Sequence, residues 1–159
     1  MEGSWIPEQV GEYPRPPRVR SVRANVRVTF RGWEIAAADE VLEVLETWHP
    51  PTVYLDPKVF RPGVLISADR TSFCEFKGRA AYLHLDTPHG CLRHVGWSYR
   101  QPSRPYEALR DQVALYPTLL ECWWNDERVR GQEGGFYGGW ITSRVRGPFK
   151  GDGGWNPDR

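Results

Sequence analysis

The sequence predicts a single domain that is mainly β. Its 159 residues are about the length that one hydrophobic core serves, and no internal repeat or linker divides the chain. Aromatic residues are abundant, with 8 Trp, 7 Tyr and 6 Phe, and such side chains favour the pleated surface of a sheet. The 16 Gly and 14 Pro indicate many turns, which agrees with a chain of strands and hairpins.

The first clear strand signal lies at residues 26–30, where apolar and polar side chains alternate. This period of two predicts a half-buried strand, and Arg31-Gly32 predicts the turn that starts a hairpin. Residues 39–47 fit two structures. Their apolar positions match a helix that Asp39 would cap, and they also match an alternating strand. We favour the strand.

The remaining core is predicted to consist of further strands and turns. Residues 73–86 form the clearest strand region, and Gly78 interrupts it at a point where a β-bulge would redirect Lys77. Asp69-Arg70 predicts a turn before this region. The other predicted elements are strands at 52–55 and 91–99, helical turns at 56–58 and 106–110, a hairpin turn at 87–90, an alternating stretch at 112–124 interrupted at Pro117, and a hairpin end at 125–129.

We expect three segments within this one domain. Residues 1–22 form an arm whose prolines interrupt regular strand pairing, and Trp5 and Ile6 are expected to dock it on the body. Residues 23–130 form the β-rich core. Residues 131–159 form a C-terminal strap rich in glycine and aromatic residues, which is expected to lie over the body as part of the same domain.

Composition argues against several classes of protein. The formal net charge is +1, from 21 basic and 20 acidic residues, so the basic face of a nucleic-acid-binding protein is not expected. No apolar run approaches the roughly 18 residues of a membrane span, and the first ten residues lack the basic start of a targeting peptide. Cys74, Cys91 and Cys122 form no C-x-x-C pair, which favours free thiols and a cytoplasmic location.

Four segments of the chain resemble a known family, domain-of-unknown-function family 427. Residues 45–54 (LETWHPPTVY) resemble its ET-x-x-PP segment, which is followed by a tyrosine. Residues 74–82 (CEFKGRAAY) resemble its signature of a cysteine, an aromatic residue, Lys-Gly, alanine and tyrosine. With the two segments that follow, the resemblance covers about residues 24–129 in the family's order.

The third and fourth segments each depart from the family pattern at one position. Residues 97–99 (WSY), followed by Pro102, are similar to the A-W-S-Y-x-x-P element, with Gly96 in place of the alanine. Residues 113–116 (VALY) are similar to the V-A-F-Y element, with Leu115 in place of the phenylalanine. Both replacements keep the residues small or apolar.

The resemblance implies a small, strongly curved antiparallel sheet. It suggests a β-tent-like architecture, similar to the cereblon ligand-binding domain and methionine sulfoxide reductase B, or an open barrel. Many β-tent domains hold a structural zinc with paired C-x-x-C motifs, which this chain lacks, so no metal and no other cofactor is expected. Residues 135–150 resemble the tail of a longer subgroup. The label nucleotidyltransferase is attached to some family members, and no residues here support it.

The strongest candidate site is a cluster of aromatic residues, a thiol and an ammonium group. If these residues lie on neighbouring strands, their side chains converge on one concave surface, which suits a planar or anionic small molecule. The alternative is that the rings belong to the core and that Lys77 pairs with Glu75 at the surface. The candidate ligand-binding residues are Tyr54, Cys74, Phe76, Lys77, Tyr82, Trp97 and Tyr99.

Two other functions stay open, although we favour a binding protein over an enzyme. Cys74 is a candidate nucleophile if Lys77 lowers its pKa, with His49 or His94 as a partner brought in by the fold, and Lys77 is itself a candidate acid, base or imine-forming residue. His84 and His94 face each other if the hairpin turns near residue 89, but polar surface explains them better than a metal site. The other open function is that of a protein-interaction domain, which would use the aromatic C-terminal tail as its contact surface. The expected partner is an unidentified small molecule, and the chain is expected to be a monomer or a homodimer.

Overall fold

The structure is a computed structural model that describes residues 6–135 and 137–158. It contains thirteen strands and four short 3-10 helical turns, and no α-helix lies in these two ranges. The strands are β1 (Glu8–Gln9), β2 (Arg18–Phe30), β3 (Trp33–Leu45), β4 (Thr52–Leu55), β5 (Leu65–Cys74), β6 (Gly78–Thr87), β7 (Gly90–Ser98), β8 (Val113–Leu115), β9 (Glu121–Trp124), β10 (Glu127–Arg128), β11 (Arg130–Gly131), β12 (Trp140–Ile141) and β13 (Val145–Arg146). The 3-10 turns are Val10–Glu12, Pro57–Val59, Arg104–Leu109 and Asp152–Gly154.

Nine strands form one antiparallel sheet in the order β10-β9-β2-β3-β4-β8-β7-β6-β5. The end strands β10 and β5 do not pair with each other in the described residues, so the sheet is open and is not a closed barrel. Two small sheets, β1 with β13 and β11 with β12, lie outside it. The predicted fold class, a mainly β antiparallel sheet with short helical turns, is confirmed.

The β2–β3 hairpin provides the two longest strands of the sheet. Arg31 and Gly32 both take positive φ angles, of 50° and 80°, as the two-residue turn of a tight hairpin requires. β3 runs on to Leu45, which confirms the strand over the helix for residues 39–45, and residues 46 and 47 lie in the loop that follows. Buried and exposed side chains alternate in β2 at residues 24–28, whereas residues 41–45 of β3 are buried or half-buried on both faces.

Two local predictions are wrong. Asp69-Arg70 does not form a turn, because it lies inside β5 at a β-bulge between Ser67 and Thr71. Residues 73–86 do not form one interrupted strand: residues 75–77 form the turn of the β5–β6 hairpin, and Gly78 begins β6 with a φ of 109°. Gly78 therefore supplies a left-handed backbone conformation at a turn, and the bulge lies elsewhere.

The two faces of the sheet pack differently. One face carries an aliphatic core made mainly of Val, Leu and Ile, and the other carries a smaller aromatic cluster. The aliphatic core includes Val26, Val28, Ile35, Val53, Leu55, Leu83, Leu85, Val113, Leu115, Cys122 and Trp140. The aromatic cluster includes Val44, Tyr54, Ala80, Tyr99, Tyr106, Leu109 and Ala114, with Cys74, Phe76 and Trp97 packed against it.

The N-terminal arm and the C-terminal strap pack together in a third cluster. Val10 and Tyr13 of the arm are buried there with Ile141, Val145 and Phe149 of the strap. Trp5 lies outside the described residues. Ile6 is 83 % exposed, so its predicted docking is wrong, and the arm is anchored by residues further along.

A chain of ion pairs joins the arm, the sheet and the strap. The Glu43 carboxylate in β3 is fully buried and contacts Arg20 in β2 at 2.9 Å and Arg144 of the strap at 2.6 Å. Arg20 also contacts the Glu8 carboxylate at 2.8 Å. Burial of Glu43 is tolerated because both of its oxygens are paired, and removal of either partner would leave a charge without compensation. β2 begins at Arg18, inside the segment expected to be the arm.

Candidate functional site

The aromatic side of the sheet is aligned by strand register. Tyr82 in β6 lies opposite Trp97 in β7, which lies opposite Ala114 in β8. Ala114 in turn lies opposite Tyr54 in β4. Residues opposite each other in antiparallel strands share a face, so this register places Tyr82, Trp97 and Tyr54 on the same side. The small Ala114 leaves room between the two large rings on either side of it.

The rings of this row contact one another and further aromatic residues. The Trp97 indole Nε1 donates a hydrogen bond to the Tyr54 hydroxyl at 3.2 Å. The Trp97 and Tyr116 ring centroids lie 4.7 Å apart, and those of Tyr54 and Tyr99 lie 6.5 Å apart. Burial raises the pKa of both Tyr54 and Tyr99. Both hydroxyls are therefore neutral at physiological pH and serve as hydrogen-bonding groups.

A cavity of about 420 Å³ opens on this face, within the size range of small-molecule sites. Its walls come from seven parts of the chain: β3, the loop before β4, β4, β5, the turn after β5, β6 and β7, with Tyr99 and Tyr116 beyond the strand ends. The lining residues are Val44, Glu46, His49, Thr52, Tyr54, Arg70, Ser72, Phe73, Lys77, Ala80, Tyr82, Trp97, Tyr99 and Tyr116.

Two cationic side chains lie in the cavity wall, Arg70 and Lys77. The β5 bulge places the Arg70 guanidinium over the Tyr82 ring, with its carbon 4.9 Å from the ring centroid. Lys77 lies at the end of the β5–β6 turn. The Ser103 backbone N–H donates to the Lys77 carbonyl at 2.9 Å, and the Ser103 hydroxyl donates to the Phe76 carbonyl. The turn that carries Lys77 is therefore fixed from outside the hairpin.

The Lys77 side chain is buried, with only 9 % of the residue exposed. Lysine is seldom buried unless it is paired. Within the described ranges Lys77 takes part in no ion pair, and in particular it does not pair with Glu75. Lys77 therefore lines the cavity without a carboxylate of the described chain to neutralise its ammonium group.

The loop between β3 and β4 supplies the polar end of the cavity through Glu46 and His49. The arm holds this loop on one side, since Thr47 donates from its hydroxyl to the Tyr13 carbonyl at 2.6 Å. The strap holds it on the other side, since the Lys150 N–H donates to the Trp48 carbonyl at 2.7 Å. Both segments outside the main sheet thus contribute to the shape of the site.

Glu46 and His49 differ in their surroundings. The Glu46 carboxylate forms no ion pair within residues 6–135 and 137–158. Burial lowers the pKa of His49; the nearby Glu46 carboxylate opposes this shift, and the ammonium groups of Lys150 and Lys77 add to it. His49 is therefore mainly neutral near pH 7, and a neutral imidazole offers one hydrogen-bond donor and one acceptor.

Five of the seven predicted ligand-binding residues line this cavity: Tyr54, Lys77, Tyr82, Trp97 and Tyr99. The other two, Cys74 and Phe76, do not line it. Both are partly buried against the aromatic cluster, where Cys74 neighbours the hydroxyls of Tyr54 and Tyr99. A nucleophilic role for Cys74 on a molecule held in the cavity is not supported by this position.

Sequence reasoning did not identify Glu46, Arg70 or Tyr116 as lining residues, and it considered His49 only as a partner for Cys74. A signal was present for Glu46 and His49, because charged and titratable side chains precede Pro50-Pro51 within one family segment. Arg70 carries no such signal, because Asp69-Arg70 has the local pattern of a turn.

The histidines on the other hairpin show no sign of a metal site. His84 and His94 do meet, with ring centroids 4.6 Å apart, and the His94 backbone N–H donates to the His84 Nδ1 at 2.9 Å. Within the described part of the chain no group of three or more His, Cys, Asp or Glu side chains is arranged to hold a metal ion. The same residues include no helix with the length and apolar character needed to cross a membrane.

The four family segments come together at this one site, and a family comparison agrees with them. The family model described as a domain of unknown function, DUF427, matches residues 18–126. The chain belongs to this family. A search of curated proteins finds no match. All fourteen residues that line the cavity fall inside the matched range, whereas the strap that holds the 46–51 loop lies beyond it.

Proposed function

We propose that this DUF427 protein binds a small molecule with a planar ring and an acidic group in the aromatic cavity. The observation that carries the proposal is Lys77, a buried lysine that lines an aromatic cavity and forms no ion pair with a carboxylate of the described residues. A buried charge is costly unless it is compensated. An anionic ligand would supply the compensation.

The aromatic lining supports a planar ligand. Tyr82 and Trp97 are half-buried and offer ring surface beside the buried Tyr54, and ring–ring contacts contribute roughly 0.5–1.5 kcal/mol beyond buried area. Arg70 stacks on Tyr82 at the exposed side of the cavity, where it adds a second positive charge. Rings on one side and cations at two points favour an aromatic carboxylate or aryl phosphate over a neutral or cationic molecule.

The test is titration calorimetry with 2-naphthoate and phenyl phosphate as probes, and 2-naphthamide as the neutral counterpart. Lys77→Met keeps the apolar stem and removes the charge. We expect it to weaken binding of the anionic probes by roughly 10-fold to 100-fold, as the loss of a charged hydrogen bond predicts. Lys58→Met is the matched control, because Lys58 is exposed and lies outside the cavity.

Two results would overturn the proposal. One is the absence of saturable binding of either anion to the wild-type protein at millimolar concentration. The other is equal binding of 2-naphthoate to the wild type and Lys77→Met, or of 2-naphthoate and 2-naphthamide to the wild type. A native mass spectrum of the purified protein, repeated after denaturation, complements the titration, because a mass released on unfolding would identify the natural ligand.

A cytoplasmic location fits the same proposal. All three cysteines, Cys74, Cys91 and Cys122, are free thiols, and Cys91 is exposed to solvent. Thiols persist in this form in a reducing compartment. Fractionation of the native host, with detection of the protein in the soluble cytoplasmic fraction or elsewhere, tests this part independently.

A further inference from the structure

We propose that the C-terminal strap, through Gln132, holds His49 as the neutral Nε2–H tautomer, so that His49 presents an N–H donor to the ligand. The part about the ligand rests on the proposed function, and the part about the tautomer does not. The ligand class is thereby narrowed to planar acids with an acceptor oxygen within reach of His49 as well as of Lys77. A carboxylate attached to the ring meets this requirement.

The Gln132 side chain is fixed by its surroundings. Gln132 is 1 % exposed and lies directly after β11. Its Oε1 accepts the Gly139 N–H at 3.2 Å, and its Nε2 donates to the Lys150 carbonyl at 2.8 Å. Rotating the amide by 180° would set donor against donor and acceptor against acceptor. The two backbone partners therefore determine which end of the amide is nitrogen.

The second N–H of the same amide reaches His49. Gln132 Nε2 lies 3.0 Å from His49 Nδ1. Because both hydrogens of this nitrogen are donors, Nδ1 accepts, and the proton of a neutral imidazole must be on Nε2. Within the described residues Nε2 has no hydrogen-bond partner, and the ring lines the cavity. Nε2–H is thus the donor that remains for a molecule in the cavity.

The charges around His49 are consistent with this neutral donor. Glu46 lies on the same loop, while Lys77 and Lys150 approach from the β5–β6 turn and the strap. Tyr137 packs edge-to-face on the imidazole, with centroids 5.4 Å apart. Burial disfavours a positive charge on the ring and lowers the pKa of His49; the Glu46 carboxylate opposes this shift, and the two ammonium groups add to it. A cation at His49 would also have to break the Gln132 hydrogen bond at Nδ1.

The tautomer can be measured without any ligand. Long-range ¹H–¹⁵N correlation spectra distinguish the protonated from the unprotonated ring nitrogen, and the chain has only four histidines to assign. At pH 7.5 we expect His49 to show an unprotonated Nδ1 and a protonated Nε2. An Nδ1–H tautomer or an imidazolium in the wild-type protein would overturn the proposal.

Gln132→Glu tests the role of the strap. A carboxylate replaces the donor with an acceptor, so His49 is expected to change to Nδ1–H or to the imidazolium form, with a raised pKa. Gln101→Glu makes the same change in charge at an exposed position and should leave the His49 signals unchanged. If a folded Gln132→Glu protein keeps the wild-type tautomer, Gln132 does not position His49. The wild-type spectrum decides the tautomer itself even if this variant does not fold.

The role of His49 as a donor to the ligand is tested with two substitutions of His49 and 2-naphthoate as the probe. Gln places an N–H near the position of Nε2, whereas Phe keeps the ring and has no donor. We expect His49→Phe to bind roughly tenfold more weakly than the wild type, and His49→Gln to recover most of that loss. If His49→Phe binds like the wild type while Lys77→Met still loses affinity, the donor role fails and the proposed function stands. If no variant and no wild-type protein binds, the proposed function fails and the tautomer result remains.

Discussion

The two faces of the nine-stranded sheet are built on the same backbone and do different things. In β4, Val53 and Leu55 point into the aliphatic core, and Tyr54 between them points to the aromatic cavity. Leu83 and Tyr82 divide in the same way in β6. One face is a buried apolar core, and the other has polar groups around an opening. The alternation of side chains along a strand is enough to place an apolar core on one face and a cavity with polar groups on the other.

The faces also differ in what surrounds them. The aliphatic core is enclosed by the sheet itself together with Trp140 and Phe60 from outside the long strands. The aromatic face depends on segments that are not part of the sheet, because the arm and the strap hold the loop that carries Glu46 and His49. We therefore expect the aromatic face to respond to local changes that leave the aliphatic face intact.

The largest expected difference between the faces is in thiol reactivity. Cys122 is fully buried in the aliphatic core, where burial raises the pKa of its thiol, and Cys74 is partly buried on the aromatic side. Labelling of Cys122 should require opening of the core, so iodoacetamide should modify it at least ~10³-fold more slowly than Cys91, with Cys74 between them. Peptide mass spectrometry of a labelling time course measures all three rates. Rapid labelling of Cys122 in the folded protein would show that this face is not closed.

The next largest difference is in the free energy of unfolding. Leu85→Ala removes a fully buried side chain from the aliphatic core and should lower the free energy of unfolding by about 2–5 kcal/mol. Tyr82→Phe removes only a hydroxyl at the cavity, which donates to Ser72 at 3.3 Å, and should change it by less than about 1 kcal/mol. Urea unfolding of both variants gives the comparison. Equal losses would mean that the cavity face carries as much of the stability as the core.

The sequence was most informative where apolar residues and turn residues within one short segment decide the structure. The β2–β3 hairpin, β4, the 87–90 turn and the two central 3-10 turns follow from local patterns and turn residues, and all are confirmed. Five of the seven candidate residues line one cavity because they lie on paired strands, or on a turn between such strands, where the register brings them together.

The sequence was least informative where distant segments meet. Arg70 reaches the cavity through a bulge, and a bulge depends on the pairing of two strands, not on the residues of one. Gln132 contacts His49 across 83 residues of chain, and no local pattern in either segment predicts that contact. Ile6 was expected to be buried because it is apolar, but single apolar residues often remain exposed.

The smallest expected effect is the loss of stability in acid. Acid should weaken the ion pair between Glu8 of the arm and Arg20, and this should loosen the aromatic face first. The hydrogen bonds from Arg20 lower the pKa of Glu8 from 4.5 to about 2. Because the folded pKa is the lower one, the stabilisation is complete above pH 4.5 and is lost as the pH falls from 4.5 towards 2. The Glu8 side chain is 41 % exposed, so solvent screening limits the contribution to about 1 kcal/mol or less.

Glu8→Gln should remove this part of the pH dependence, whereas Glu12→Gln, at an exposed position on the same arm, should keep it. Unfolding free energies measured between pH 6 and pH 3 give the stability change. The labelling rates of Cys74 and Cys122 in the same samples show where the structure opens. If acid exposes Cys122 as early as Cys74, the two faces open together, and the arm does not act on the aromatic face alone.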